Sequence, residues 1–498
     1  MTPINYSELL QLALPQVIVV VTALFVLAID LIALRKRAMR IRFTVASALA
    51  SLGCAAAILQ ILVHPAQANI FDGMLIANPL THFVQIALLV LTIFTLLISV
   101  DSRFTEHVGE FVLLILIATA GMMFLVGSQD LLVIFISLEL LSLSLYILAA
   151  FNKRSGQSWE AALKYFLFGG MSAAFLLFGF SLLYGLSNST SLTHIAGALH
   201  GPSLNPLLVI AIVTTALGLG FKIAAAPFHF WAPDVYQGAP APSAAFIASG
   251  SKVASFFVFF QVMALGFAGV NGTVTLSHLV RGWVPVLALM ATLSMLLGNL
   301  VAIRQTSLRR LLAYSAIAHA GYMLLGILAH TQQSLAALLY YVVTYAFATL
   351  GAFAVIAVVE EQRGDDRLSH FDGLGKQAPI LSFSLAIFIL SLAGIPPLAG
   401  FFGKFYLFVT VLAATPNPVD LLWLVVLAIA MSAVSLYYYL RVLKRVYVTP
   451  PAIDCNAIHS PAVTQILVLA LAAAVILLGC APNLLLKWID SAVQASGL

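Results

Sequence analysis

Charge is scarce in this sequence. Of 498 residues, 8% are Asp, Glu, Lys or Arg and 62% are hydrophobic. Soluble domains carry about 25% charged residues, so a water-soluble fold of this length is excluded. Segments of ~10 residues with alternating polarity are also missing, which excludes a transmembrane β-barrel. Cysteine is rare: Cys54, Cys455 and Cys480 lie far apart and form no CxxC or iron–sulfur spacing, so no electron-transfer cluster is expected in this chain. No predicted strand leads into GxGxxG, which leaves no dinucleotide fingerprint. The first residues lack the basic start and cleavage site of a secretory signal. The net charge of +5 does not point to nucleic acid, because basic cytoplasmic loops produce the same balance.

Apolar runs near 20 residues recur along the whole chain, the length that crosses ~30 Å of hydrocarbon as a helix. The expected fold is all-α and polytopic, with about fourteen spans near 12–34, 43–63, 80–100, 111–127, 129–151, 162–185, 206–226, 241–266, 283–303, 311–329, 334–359, 378–413, 420–440 and 462–481. Placing the loop with Arg35, Lys36, Arg37, Arg40 and Arg42 in the cytoplasm puts 17 Lys and Arg residues on that side. Only Arg281 and Lys487 fall on the other. This bias predicts that both termini lie outside the cytoplasm, in a cell inner membrane.

Four lysines stand outside that tally. Lys164, Lys222, Lys252 and Lys404 lie within or at the edge of spans. An intramembrane charge costs at least ~2.5 kcal/mol and usually faces a bundle interior or a water path. Glu139 lies nine residues past Asp130, ~14 Å deep at 1.5 Å per residue. Lys222, Lys252 and Lys404 are read at similar depth, and His319 lies nine residues past Arg310. A lysine at a helix end commonly snorkels, which is the favoured reading of Lys164. Asp30, close to Arg35, is read the same way. Several chargeable groups at one depth point instead to a proton path. Low dielectric lowers a lysine pKa and raises a carboxylate pKa, so both can titrate near neutrality. Clustered His and carboxylate ligands for a fixed metal are absent, and most of the eleven histidines lie in loops or near span ends, unlike a haem–copper oxidase.

Two spans look broken. Span 7 carries Pro227 soon after Lys222, followed by His229. Span 12 carries Gly394, Pro396, Pro397 and Gly400 before Lys404. Proline inside a helix frees a carbonyl, tolerated in membranes where the freed group lines a cavity or meets water. Paired interruptions in two halves mark transport sites. Glu139 to Lys222 is 83 residues and His319 to Lys404 is 85. The five-span shift between them predicts two inverted five-helix repeats. The expected divisions are 1–110 (spans 1–3), 111–270 (first repeat, spans 4–8), 271–450 (second repeat, spans 9–13) and 451–498 (span 14).

At these residues the sequence resembles a known family. KIAAAPFHFWAPDVYQGAPAPSAAFIASGSKVA (222–254), LRRLLAYSAIAHAGYMLLG, SLAGIPPLAGFFGKFYLF and LKYFLFGG (163–170) resemble segments of the antiporter-like subunits of respiratory complex I. The PDVYQGAP variant is similar to the N type. The resemblance implies a proton-translocating subunit in which Glu139 modulates Lys222, Lys252 is the central relay, Lys404 exchanges protons with the far channel and His319 relays beside it. It also implies that His229 would gate water entry or cap its helix locally, and that Lys164 would tune Glu139 or snorkel. NADH, FMN, iron–sulfur clusters and quinone would belong to the assembly, with other membrane subunits and a peripheral redox arm as partners. Three alternatives stay open: a subunit of a multisubunit cation/proton antiporter or membrane-bound hydrogenase, a small-molecule secondary transporter, and a purely structural membrane subunit.

Overall fold

The computed structural model describes residues 6–199, 205–274, 279–414, 419–450, 458 and 460–497, so Cys455 lies outside the described residues. Twelve of its helices are long and apolar enough to cross a membrane. Apolar helices too short to do so singly are Pro206–Lys222, Pro379–Ala393 and Ala399–Ala414. The first belongs to span 7 and the other two to span 12, so the spans that miss the length criterion are the two expected to be broken. The fourteen-span all-helical reading therefore holds, with two short hairpins (68–77 and 273–280) in the loops. An amphipathic helix, Asn483–Ser496, follows span 14 and packs Trp488 edge-on against Phe83.

Local rules set the helix ends. Asp130 caps span 5 (Leu131–Ala149) by accepting from the amides of Leu132 and Val133. Ser307 caps span 10 (Leu308–Ala329), and Asn78 and Thr331 open spans 3 and 11 with reciprocal capping boxes. Each cap satisfies amide donors that hydrocarbon could not.

Loops gather by parity. Arg40 meets Asp101, Arg103 meets Glu361, Arg154 meets Glu106, and Arg310 meets Asp234. Arg441 donates to the carbonyls of Ile303 and Gln305. All join odd-numbered loops on one face. On the other, Ile76 bonds Gly127, Leu131 bonds Thr190 and Asn271 bonds His330. A missed span would have mixed the two sets.

Asp30 departs from the snorkelling reading. It is fully buried, takes two hydrogen bonds from Arg42 (2.8 and 2.5 Å) and accepts from the Gly109 amide at 2.9 Å. It ties span 1 to spans 2 and 4, where a π-helical turn, Asp30–Leu34, aims the carboxylate inward.

Candidate functional site

Span 7 ends its first segment at Lys222, and the chain runs without regular helix to Trp231. Lys222 is buried. Its Nζ donates to Ser142 Oγ and, at 3.4 Å, to Tyr146 Oη, both on span 5. Glu139, one turn before Ser142, lies near enough for its charge to act on Lys222. Among the described residues it forms no ion pair with that lysine, and it is only half-buried. Depth therefore matches while direct contact does not: neutral hydroxyls hold the ammonium.

Span 8 is broken as well, which the sequence reading did not expect. Its helix stops at Ala248 and restarts at Gly250, with Ser249 at φ −117° and ψ −81°. Lys252, 1% exposed, lies just beyond and donates to the Ala316 carbonyl of span 10 at 3.0 Å. Its Nζ also sits 5.6 Å from the Tyr345 ring centroid of span 11 (Gln332–Arg363).

His319 is one turn past Ala316. Its ring bonds Tyr341 Oη at 2.8 Å and Tyr439 Oη at 3.3 Å, and it packs 5.0 Å from Tyr345 and 5.7 Å from Tyr322. Lys404 follows the span 12 break. Its Nζ donates to the carbonyls of Leu392 (3.1 Å) and Ala393 (3.2 Å) and to Ser432 Oγ (2.9 Å). Those carbonyls close the first helical segment, which ends on Gly394 in the left-handed region at φ 87°. The break thus supplies the ligands of the lysine. The Tyr322 ring lies 5.3 Å from Nζ, a weak cation–π attraction. Rings and imidazole accordingly step from Lys252 through Tyr345, His319 and Tyr322 to Lys404. No side-chain contact joins Lys222 to Lys252 among the described residues.

The other two candidates lie elsewhere. Lys164 pairs with Glu160 (2.6 Å) and Asp234 (2.7 Å) at the rim and does not touch Glu139. His229 is buried in the span 7 break, stacked on Phe230, with Nδ1 unpartnered. The cavity at that break, about 270 Å³, is lined by Phe168, Met171, Phe175, Pro227, Phe228 and Phe230 among others. Sequence reasoning missed Ser142, Tyr146, Tyr341, Tyr439 and Ser432, whose only signal was helical spacing from an ionisable residue.

The two halves share a hydrogen-bond signature. The Leu131 amide bonds the Thr190 carbonyl and the Leu192 amide bonds that of Gln129. Likewise the Leu308 amide bonds the Asp366 carbonyl and the Leu368 amide bonds that of Thr306. Thr190 donates to Asp130, and Ser307 to Asp366, so acid and hydroxyl exchange sides. In this register His319 corresponds to Ser142, and Glu139 to Ala316. The equal spacings that paired Glu139 with His319 are one helical turn off.

Comparison with known proteins agrees with this architecture. Residues 128–433 match the family described as NADH:quinone oxidoreductase/Mrp antiporter, TM. The chain is 56% identical to NADH-quinone oxidoreductase subunit N 2 of Acidobacterium capsulatum, over 98% of this chain and 100% of that protein. It superposes on a chain of respiratory complex I from Thermus thermophilus solved with bound aureothin, with TM-score 0.78, 34% identity, and 95% and 98% of the two chains covered. A chain of the Mrp complex from Dietzia sp. shares the fold at TM-score 0.81 and 19% identity, with 97% of each chain covered. The chain belongs to the family of membrane subunits shared by NADH:quinone oxidoreductases and Mrp antiporters.

Proposed function

We propose that this chain is the N-type, proton-translocating membrane subunit of an NADH:quinone oxidoreductase. Lys222, Lys252, His319 and Lys404 carry the protons, and Glu139 biases Lys222. One observation carries the reading: three lysines and a histidine are buried in one chain, and each is bonded to neutral hydroxyl, carbonyl or phenol groups. Among the described residues no carboxylate pairs with any of them. A buried ammonium without a counter-charge is costly, so a modest change in nearby charge decides whether it keeps its proton. Neutral ligands tolerate both states, whereas a fixed ion pair would lock one.

In this reading the chain holds no redox group of its own. NADH, FMN, iron–sulfur clusters and quinone serve other subunits, reached through neighbouring membrane subunits. The chain divides as 1–110, 111–270, 271–450 and 451–498, with the middle pieces as inverted repeats. It lies in the cell inner membrane with both termini outside the cytoplasm. A cation/proton antiporter subunit would share the fold; copurification with a flavin-bearing iron–sulfur arm separates the two.

Lys404 supplies the test. Arginine keeps the charge but cannot deprotonate at any useful pH. Lys404→Arg and Lys404→Ala should lower the proton-to-electron ratio of the reconstituted complex while assembly on native gels is kept. A parental ratio in the arginine variant removes Lys404 from the path.

A further inference from the structure

The broken segment of span 7 is the obvious door for water, but its cavity is walled by aromatic and aliphatic side chains. A different opening on the odd-loop face is polar. A cavity of about 250 Å³ lies between the end of span 3, the start of span 8 and the end of span 11, bordered by Asp101, Gln237, Arg309, Glu360 and Glu361. Arg309 is 2% exposed, bonds Glu360 at 3.0 Å and donates to the Ala239 carbonyl, yet its Nε has no partner. A buried donor left unpaired beside a polar cavity calls for water.

Further unpaired groups lie inward. Ser243 follows Pro242 of the cavity wall and is fully buried with its hydroxyl free. So are the hydroxyls of Tyr236 and Thr349. Span 11 sets the line: Tyr345, Thr349, Phe353 and Ala357 recur every four residues on one helix face. Phe353 separates cavity from interior, with Arg309 6.0 Å from its ring on one side and Tyr236 5.8 Å away on the other. Tyr345 then reaches Lys252. From Glu360 to Thr349 is eleven residues, ~16 Å along the helix axis.

We propose that protons enter from the cytoplasm through this opening and reach Lys252 directly, by way of water, Ser243, Thr349 and Tyr345, with the Phe353 ring as the dry gate. The proposal rests on Lys252 being a carrier, as argued above. Each hydroxyl accepts a proton on its lone pair as it releases its own, so charge moves with no net chemistry along the path. Ser243 and Thr349 are positioning residues for the relayed water, and the span 7 break is not the entrance.

The test uses the intact complex in inside-out vesicles, with this chain carrying Cys54→Ala, Cys455→Ala and Cys480→Ala. Ser243→Cys, Thr349→Cys, His229→Cys and Leu350→Cys are exposed, during turnover with NADH and quinone, to a small charged thiol reagent added outside. Modification is read on this subunit's band. Positions 243 and 349 should react several-fold faster than 350, a buried neighbour off the path, and faster than 229. Reaction at 229 with none at 243 and 349 overturns the route. In parallel, Thr349→Val should lower the proton-to-electron ratio and Thr349→Ser should restore it; equal ratios in both also overturn the proposal. Lys252→Ala separates the two levels. If it pumps normally the carrier assignment fails, whereas lost pumping together with unlabelled 243 and 349 fails the entrance alone.

Discussion

Gly169 and Gly170 close the LKYFLFGG segment of span 6 (Gly156–Ser187), and the structure assigns them opposite tolerances. A Cβ on Gly169 would fall 1.9 Å from Tyr146 Oη and 2.4 Å from Cζ; on Gly170 it would meet nothing within 4 Å. Relief at Gly169 needs the Tyr146 ring to retreat by about 1.5 Å to reach ordinary contact at 3.4 Å. That ring is held edge-on by Tyr165 at 4.7 Å and by Phe166 at 5.9 Å. Overpacking of this kind costs ~1–3 kcal/mol. Replacing a mid-helix glycine by alanine returns up to ~1 kcal/mol. Gly170→Ala should therefore be neutral or slightly stabilising, and Gly169→Ala should be destabilised by up to ~2 kcal/mol. Because Tyr146 Oη is 3.4 Å from Lys222 Nζ, the displaced ring also disturbs the carrier. Thermal melting of the detergent-purified complex and the proton-to-electron ratio in vesicles should both fall for Gly169→Ala alone. If the two alanine variants melt and pump alike, the tight packing of Tyr146 around Lys222 is refuted.

Three further outcomes are expected. Asp30→Ala leaves Arg42, 11% exposed, without its partner, which should cost ~3–5 kcal/mol; replacing both residues by apolar ones should recover most of that in a melting assay, and an unchanged single variant would contradict the clamp. Glu139→Ala and Lys222→Ala should each depress NADH-driven pumping with assembly retained; full pumping in both removes the pair from the mechanism. Tags placed before Met1 and after Leu498 should both react with an impermeant reagent added from the extracytoplasmic side, and labelling on opposite faces would mean a miscounted span.

Depth was legible in the sequence and azimuth was not. Counting 1.5 Å per residue from a capped end locates Glu139 and Lys222 at one level, and prolines betray the breaks in spans 7 and 12. Whether Glu139 points at Lys222 depends on how spans 5 and 7 rotate against each other. Packing decides this, and it presents Ser142 and Tyr146 instead. The Ser249 break lacked a proline, so its short Ser-Gly-Ser run read as continuous helix. Asp30 was misjudged because the nearest basic residue in sequence, Arg35, is exposed, while Arg42 folds back to it.

The register of the two halves bears on how they divide the work. Ser142 and His319 occupy equivalent turns, facing Lys222 and lying beside Lys404's neighbour Tyr322 respectively. A serine hydroxyl can relay a proton but cannot store one as a cation at neutral pH, while an imidazole can do both. The first half therefore needs its acid, Glu139, to bias the lysine. In the second half the same register places Ala316, whose carbonyl holds Lys252, and the chargeable group moves to His319. Lys222 stops just before its break and Lys404 follows its own. Since the second half runs the opposite way, both lysines come to the extracytoplasmic side of their breaks. Sequence symmetry is lost so that the positions of the carriers in the membrane can match.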